Sequence, residues 1–72
     1  MKIEIGEKWK HVKSGGEYVI VGVGKLQVKN EDLDMTECVV YKSLEDSGEY
    51  KAGSIWVRPM NDFLDGRFVK IL

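Results

Sequence analysis

One cysteine, one proline and one histidine in 72 residues leave little of the hardware that marks common catalytic and metal-binding families. A lone Cys38 excludes an intramolecular disulfide. In the apolar run Cys38-Val39-Val40-Tyr41 it is expected to pack as a small buried hydrophobe. Zinc sites draw on Cys and His at close spacing, and Cys38 and His11 are far apart in the chain. Glu31-Asp32-Leu33-Asp34 lacks the ligand order and the glycine of a calcium loop. Gly22-Val23-Gly24 is followed by neither a third glycine nor a Gly-Lys-Ser/Thr, so it is no phosphate loop. Any Ser-His or Cys-His device has to use His11. Nothing around Ser14, Ser43, Ser47 or Ser54 resembles a nucleophile elbow. No enzyme and no cofactor are expected.

Charge of one sign is also missing. Eleven Lys and Arg against twelve Asp and Glu give a net charge of −1. Proteins that coat long nucleic acids depend on many cations to displace phosphate counterions, and acids such as Glu31, Asp32, Asp34 and Glu37 would repel a polyanion. There is no long hydrophobic run of membrane-spanning length, and the start Met1-Lys2-Ile3-Glu4-Ile5 lacks the apolar core of a secretory signal. A cytoplasmic location without membrane contact is expected. A chain this short buries only about 60% of the surface its unfolded form exposes, so a homo-oligomer is expected.

What the sequence does have is alternation and β-branched residues, the signature of strands. Residues 1–72 read as a single small, mostly β domain. Trp9 to Lys13 forms a first strand ended by Ser14-Gly15-Gly16. Glu17 to Val28 gives the strongest β signal, with Val19, Val21 and Val23 on one face and Tyr18 and Ile20 on the other. Gly22 and Gly24 inside it mark a bulge or bend. Further strands are expected over Met35 to Leu44, Ser54 to Arg58 and Arg67 to Ile71, with a helical turn at Asn61 to Leu64 after Pro59. Five short strands, one of them bent, and one short helical turn predict a five-stranded SH3-like barrel or meander.

One constellation carries binding chemistry. In Ser54-Ile55-Trp56-Val57-Arg58, alternation puts Ile55 and Val57 on the core face and Trp56 and Arg58 together on the opposite one. An aromatic beside a guanidinium offers stacking and paired hydrogen bonds to a flat anion. The plainer alternative is that Trp56 covers the barrel while Arg58 pairs with an acid. Trp9, His11 and Lys13 share a face of the first strand, so His11 and Lys13 are candidates to meet a phosphate or carboxylate. Packing for His11 and simple solvation for Lys13 are the competing explanations. Tyr41 and Arg67, each on a strand with a polar tip, complete the candidate set.

Lys10-His11-Val12-Lys13, Glu17-Tyr18-Val19-Ile20-Val21-Gly22, Val39-Val40-Tyr41-Lys42 and Ile55-Trp56-Val57-Arg58-Pro59 with Phe63-Leu64 form a pattern. The chain from Trp9 onward resembles the bacterial and phage domain of unknown function numbered sixteen fifty-three. The closing Asp65-Gly66-Arg67-Phe68 is similar to the tail of stand-alone phage versions. Gly15-Gly16 and the insertion Glu45 to Gly53 depart from the usual pattern, and neither touches the Trp-Val-Arg-Pro box. The resemblance implies a compact β domain and no established activity.

Three functions fit these residues. The first is a non-catalytic small-ligand-binding module for a nucleotide-like anionic signal, in its sharpest version a phage protein that sequesters a host signal. The second is an SH3-like protein-interaction module, a host-factor inhibitor or accessory subunit, with Trp9, Tyr50 and Trp56 lining a peptide groove. The third is a nucleic-acid accessory domain using Lys10, Lys13, Lys25, Lys29 and Arg67 as a local basic stripe.

Overall fold

Alternating β-branched and aromatic residues form five strands in the computed structural model, which describes residues 3–71. They are β1 (Lys8–His11), β2 (Glu17–Lys25), β3 (Glu37–Ser43), β4 (Ile55–Pro59) and β5 (Phe68–Ile71), with a one-turn helix α1 (Met60–Phe63) before the last. All neighbours are antiparallel, in the order β4-β3-β2-β1-β5. The first four strands make a meander, and β5 returns to the far side of β1. This SH3-like order forms one sheet that is not closed into a barrel. The edges are β4 and β5.

Glycine and proline place the breaks. At the first turn Gly15 takes φ 78°, a left-handed conformation that glycine adopts without steric cost. The His11 N–H donates to the Gly16 carbonyl at 2.8 Å, and the Gly15 N–H donates back to His11 at the same distance. Pro59 ends β4 on the sheet edge, where a missing donor is tolerated. At φ −54° it also leads directly into α1.

The faces differ from the expected ones. Residues directly opposite in an antiparallel pair share a face, so the register assigns each side chain. Tyr41 pairs with Trp56, and Val39 with Arg58. Val39 and Tyr41 are buried, which turns Trp56 and Arg58 inward. Ile55 and Val57, expected on the core face, are instead 55% and 61% exposed. The expected assignment of β4 is therefore inverted.

In β2 the register shifts between Ile20 and Gly22, leaving Val21 as the extra residue of a bulge. Before it, Ile20 lies opposite Tyr41 on the core side. Beyond it, Val23 lies opposite Val39 on that same side. The three valines expected to share a face are thus split by the bulge, with Val19 and Val21 turned away from the core.

The core itself is largely aromatic. Trp9, Ile20, Val39, Tyr41, Phe63 and Phe68 are buried together. Phe63, from α1, stacks on Phe68, from β5, at 4.3 Å and 14°. Trp9 meets Phe63 edge-on at 5.1 Å. Such contacts are worth about 0.5–1.5 kcal/mol each beyond their burial. Cys38 is buried, as its apolar setting predicted, with its Sγ 3.6 Å from the Thr36 carbonyl oxygen.

Candidate ligand-binding site

The curl of the sheet leaves a concavity of about 270 Å³ over the aromatic core, bounded by β1, β2, β3, β4, β5 and the loop between β3 and β4. Four of the six candidates, His11, Tyr41, Trp56 and Arg58, line it. Strand alternation brings them there: each sits opposite an inward-facing neighbour in its ladder. Tyr18, Ser43 and Phe68 complete the strand-borne part of the wall.

Arg58 is the fully charged side chain of this wall. Its Nε donates to the Tyr41 hydroxyl at 3.2 Å, and its Cζ lies 5.3 Å from the centre of the Phe68 ring. These contacts orient the guanidinium from two directions. The hydrogen bond from Arg58 to Tyr41 is the main cause holding the guanidinium pKa above its ordinary value, so the group is a permanent cation. Among the described residues no carboxylate forms an ion pair with it. Asp62 and Asp65 act on it only at longer range. The expected alternative, an Arg58 paired with an acid, is not what the geometry gives.

His11 stands across the concavity and packs edge-on against Phe68 at 4.9 Å. The Ser14 N–H donates to its Nδ1 at 3.2 Å, and the Ser14 hydroxyl lies 2.9 Å from the same atom. An Nδ1 that accepts places the proton of the neutral ring on Nε2, which is then a donor. Tyr18 meets Tyr41 edge-on at 5.2 Å. Burial is the main cause raising the Tyr18 phenol above its ordinary 10.0; Tyr41 and Glu45 add to the rise and Arg58 opposes it. The hydroxyl stays protonated and neutral near pH 7. The wall therefore offers one cation, hydroxyl and imidazole donors, and aromatic surfaces.

The loop between β3 and β4 supplies the outer lip. Ser47 and Tyr50 close a tight turn through N–H to carbonyl bonds of 2.8 and 2.9 Å, with Gly48 at φ 58°. Asp46 caps the loop by accepting from the Ala52 N–H at 2.8 Å. The Tyr50 ring then meets Trp56 edge-on at 4.9 Å. Two aromatic rings thus form one corner of the concavity, and Tyr50 is half exposed there.

Lys13 and Arg67 are not in this wall. β1 ends at His11, so Lys13 lies in the turn and is exposed instead of continuing the face of Trp9 and His11. Arg67 precedes β5 and pairs with Asp65 at 3.1 Å. Of the proposed basic stripe, Lys25 also faces an acid, Glu37, at 3.9 Å. Sequence reasoning missed Ser14, Tyr18, Ser43, Ser47 and Phe68, and gave Tyr50 only to a peptide groove. Phe68 was passed over because the last strand was expected to begin at Arg67, one residue before β5 begins. The signal for Tyr50 was an aromatic within an otherwise polar turn.

No helix among the described residues is long and apolar enough to cross a membrane. Comparison with known proteins finds no family model, no curated protein and no solved structure that matches this chain.

Proposed function

We propose that this protein is a non-catalytic binding module for a small, planar, anionic ligand of nucleotide-like chemistry. The carrying observation is Arg58. A half-buried guanidinium normally finds a carboxylate, because desolvating an unpaired charge is costly. This one is instead oriented by a phenol and a phenyl ring inside an aromatic-walled concavity. Its terminal nitrogens are suited to a bidentate oxoanion. Trp56 and Tyr50 supply the surface for a flat group, and the Nε2–H of His11 is a second donor. A concavity of about 270 Å³ sits just under the usual range of about 300–1,000 Å³ for ligand pockets, which favours a compact ligand over an extended polymer.

On this reading the module holds its ligand and releases it unchanged. Membership of the sixteen fifty-three family is part of the same proposal, as is sequestration of a nucleotide signal in a phage setting. A homo-oligomer that deepens the site belongs with it. Native mass spectrometry of protein purified from cells making candidate nucleotide signals tests ligand retention and the oligomer together. An oligomer with a nucleotide-sized adduct, lost in Arg58→Ala, is the expected result. A bare monomer under the same conditions counts against retention of a ligand and redirects the search to protein partners.

A further inference from the structure

We infer that the site selects a monoanion: one planar ring system carrying one singly charged oxoanion, such as a cyclic phosphodiester or an aromatic carboxylate, with polyphosphates excluded. This rests on the ligand-binding reading above and narrows it.

The charge of the wall sets the limit. Arg58 is its fully charged side chain, and its Nε is already committed to Tyr41. What remains is one fork of terminal N–H donors, matched to the two equivalent oxygens of a phosphodiester or carboxylate. Of the other polar groups of the wall, the Ser14 and Ser43 hydroxyl protons are committed to His11 Nδ1 and to the Lys51 carbonyl, which leaves the Tyr18 and Ser47 hydroxyls and the Nε2–H of His11 as donors. They can satisfy oxygen atoms of a sugar or a base edge, but hydroxyls bring no charge to neutralise a second phosphate.

The surroundings make further negative charge unfavourable. The charge of Asp65 is largely offset by its pair with Arg67, whereas Asp62 acts on Arg58 and Glu45 acts on Tyr18. Glu45 is fixed there because its carboxylate accepts from the Glu17 N–H at 3.2 Å. A second and third phosphate would add negative charge where Asp62 and Glu45 already supply it and where Arg58 is the one guanidinium of the wall. The candidate compensating cations are placed elsewhere: Arg67 is held by Asp65, and Lys13 lies in an exposed turn outside the wall. Aromatic rings cover the core side, where Phe68 and Tyr41 are buried.

Isothermal titration at constant ionic strength, on the full chain, with probes that share one base and differ in charge tests this directly. The probes are the nucleoside, its 3′,5′-cyclic monophosphate, its 5′-monophosphate and its 5′-triphosphate, in adenine, guanine, cytosine and uracil series. 1-Naphthoate and 2-naphthoate form a separate carboxylate arm. The expected result in at least one series is a cyclic monophosphate bound about tenfold tighter than the nucleoside, from the charge-assisted bond to Arg58. It should also bind about tenfold tighter than the triphosphate, from repulsion at the acidic rim. Tight naphthoate binding with weak cyclic nucleotides assigns the same monoanion site to carboxylates. A triphosphate that binds tighter than the cyclic monophosphate overturns the monoanion limit and leaves the binding-module reading standing. No binding by any probe overturns both.

Discussion

Arg58 on β4 and Tyr41 on β3 are joined across the core side of the sheet by a 3.2 Å hydrogen bond from the guanidinium Nε to the phenol oxygen. Tyr41 is 4% exposed and packs against Tyr18, Phe63 and Phe68, so its ring is structural and its hydroxyl is the part that meets the site. Tyr41→Phe separates the two. The ring packing is kept and one hydrogen bond to a charged group is removed, at about 1–2 kcal/mol. The melting temperature should fall by several degrees, roughly 4–8 °C per kcal/mol for a domain of this size. Ligand affinity should fall too, because the guanidinium loses one of its two orienting contacts. A stability loss with unchanged affinity would mean that Phe68 alone fixes Arg58.

Trp56 and Trp9 give an internal control for occupancy of the site. Trp9 is 3% exposed, with its indole N–H donating to Glu7 at 3.2 Å, whereas Trp56 borders the concavity beside Tyr50. A planar ligand should quench Trp56 emission and leave Trp9 unchanged. In Trp56→Phe the remaining emission should be insensitive to ligand while the fold is retained, as judged by circular dichroism. Equal quenching in both proteins would place the ligand elsewhere.

The inverted faces of β4 make a sharp prediction about stability. Ile55→Thr and Val57→Thr change exposed side chains and should each stay within about 0.5 kcal/mol of the parent in urea unfolding. Ile20→Ala, at 1% exposure, should cost about 2–5 kcal/mol and threatens the fold of so small a domain. Had Ile55 and Val57 formed the core, as their hydrophobicity suggests, the first two variants would be the damaging ones.

That contrast shows what could be read from the residues alone. The five strands, the helical turn after Pro59 and the bulge at the β2 glycines all follow from local preferences: alternation, a fixed proline φ, and glycine inside a β run. Which face is buried does not. In Ile55-Trp56-Val57-Arg58 the period is clear, but the sign depends on the direction in which the sheet curls. Here the inside is filled by large rings from β1, β3, α1 and β5 together with Ile20 and Val39, and Ile55 and Val57 are left outside. The same non-local geometry assembles the site. Arg58 finds Tyr41 seventeen positions away, and Tyr50 reaches Trp56 only because the loop over Glu45 to Gly53 folds back. Trp56 and Arg58 were legible as a pair because they are two apart in one strand. Lys13 was misplaced because β1 ends two residues before it.

The first turn is a further place where the site can be perturbed without touching its chemistry. A Cβ built on Gly16 would lie 3.2 Å from the Tyr18 hydroxyl and 3.3 Å from its Cε1. Gly16→Ala should therefore push the Tyr18 ring by a few tenths of an ångström. Folding should be nearly preserved, since the end of a side chain can yield more easily than backbone. The Tyr18 ring resonances should shift in an NMR spectrum, along with those of its partner Tyr41. Unchanged Tyr18 signals would show that the turn backbone yields instead.

Glu7 and Lys70 tie the chain entering β1 to β5 through a 2.7 Å ion pair, and Glu7 also accepts from the Glu4 N–H and the Trp9 indole. The hydrogen bond from Lys70 is the largest cause lowering the Glu7 pKa below its ordinary 4.5. The same bond raises Lys70 above its ordinary 10.5. A carboxyl whose pKa is lower in the folded state contributes stability that is complete above pH 4.5 and disappears as pH falls through the lowered value. The lysine contribution is complete below pH 10.5 and is lost as pH rises through the raised value. Between these limits the pair adds no pH dependence. In urea titrations from pH 7 down to pH 3, the parent should lose part of its stability below pH 4.5. Glu7→Gln should be less stable at pH 7, where the ion pair is missing, and should decline less steeply in acid. Parallel acid limbs for the two proteins would show that other carboxylates set the acid response.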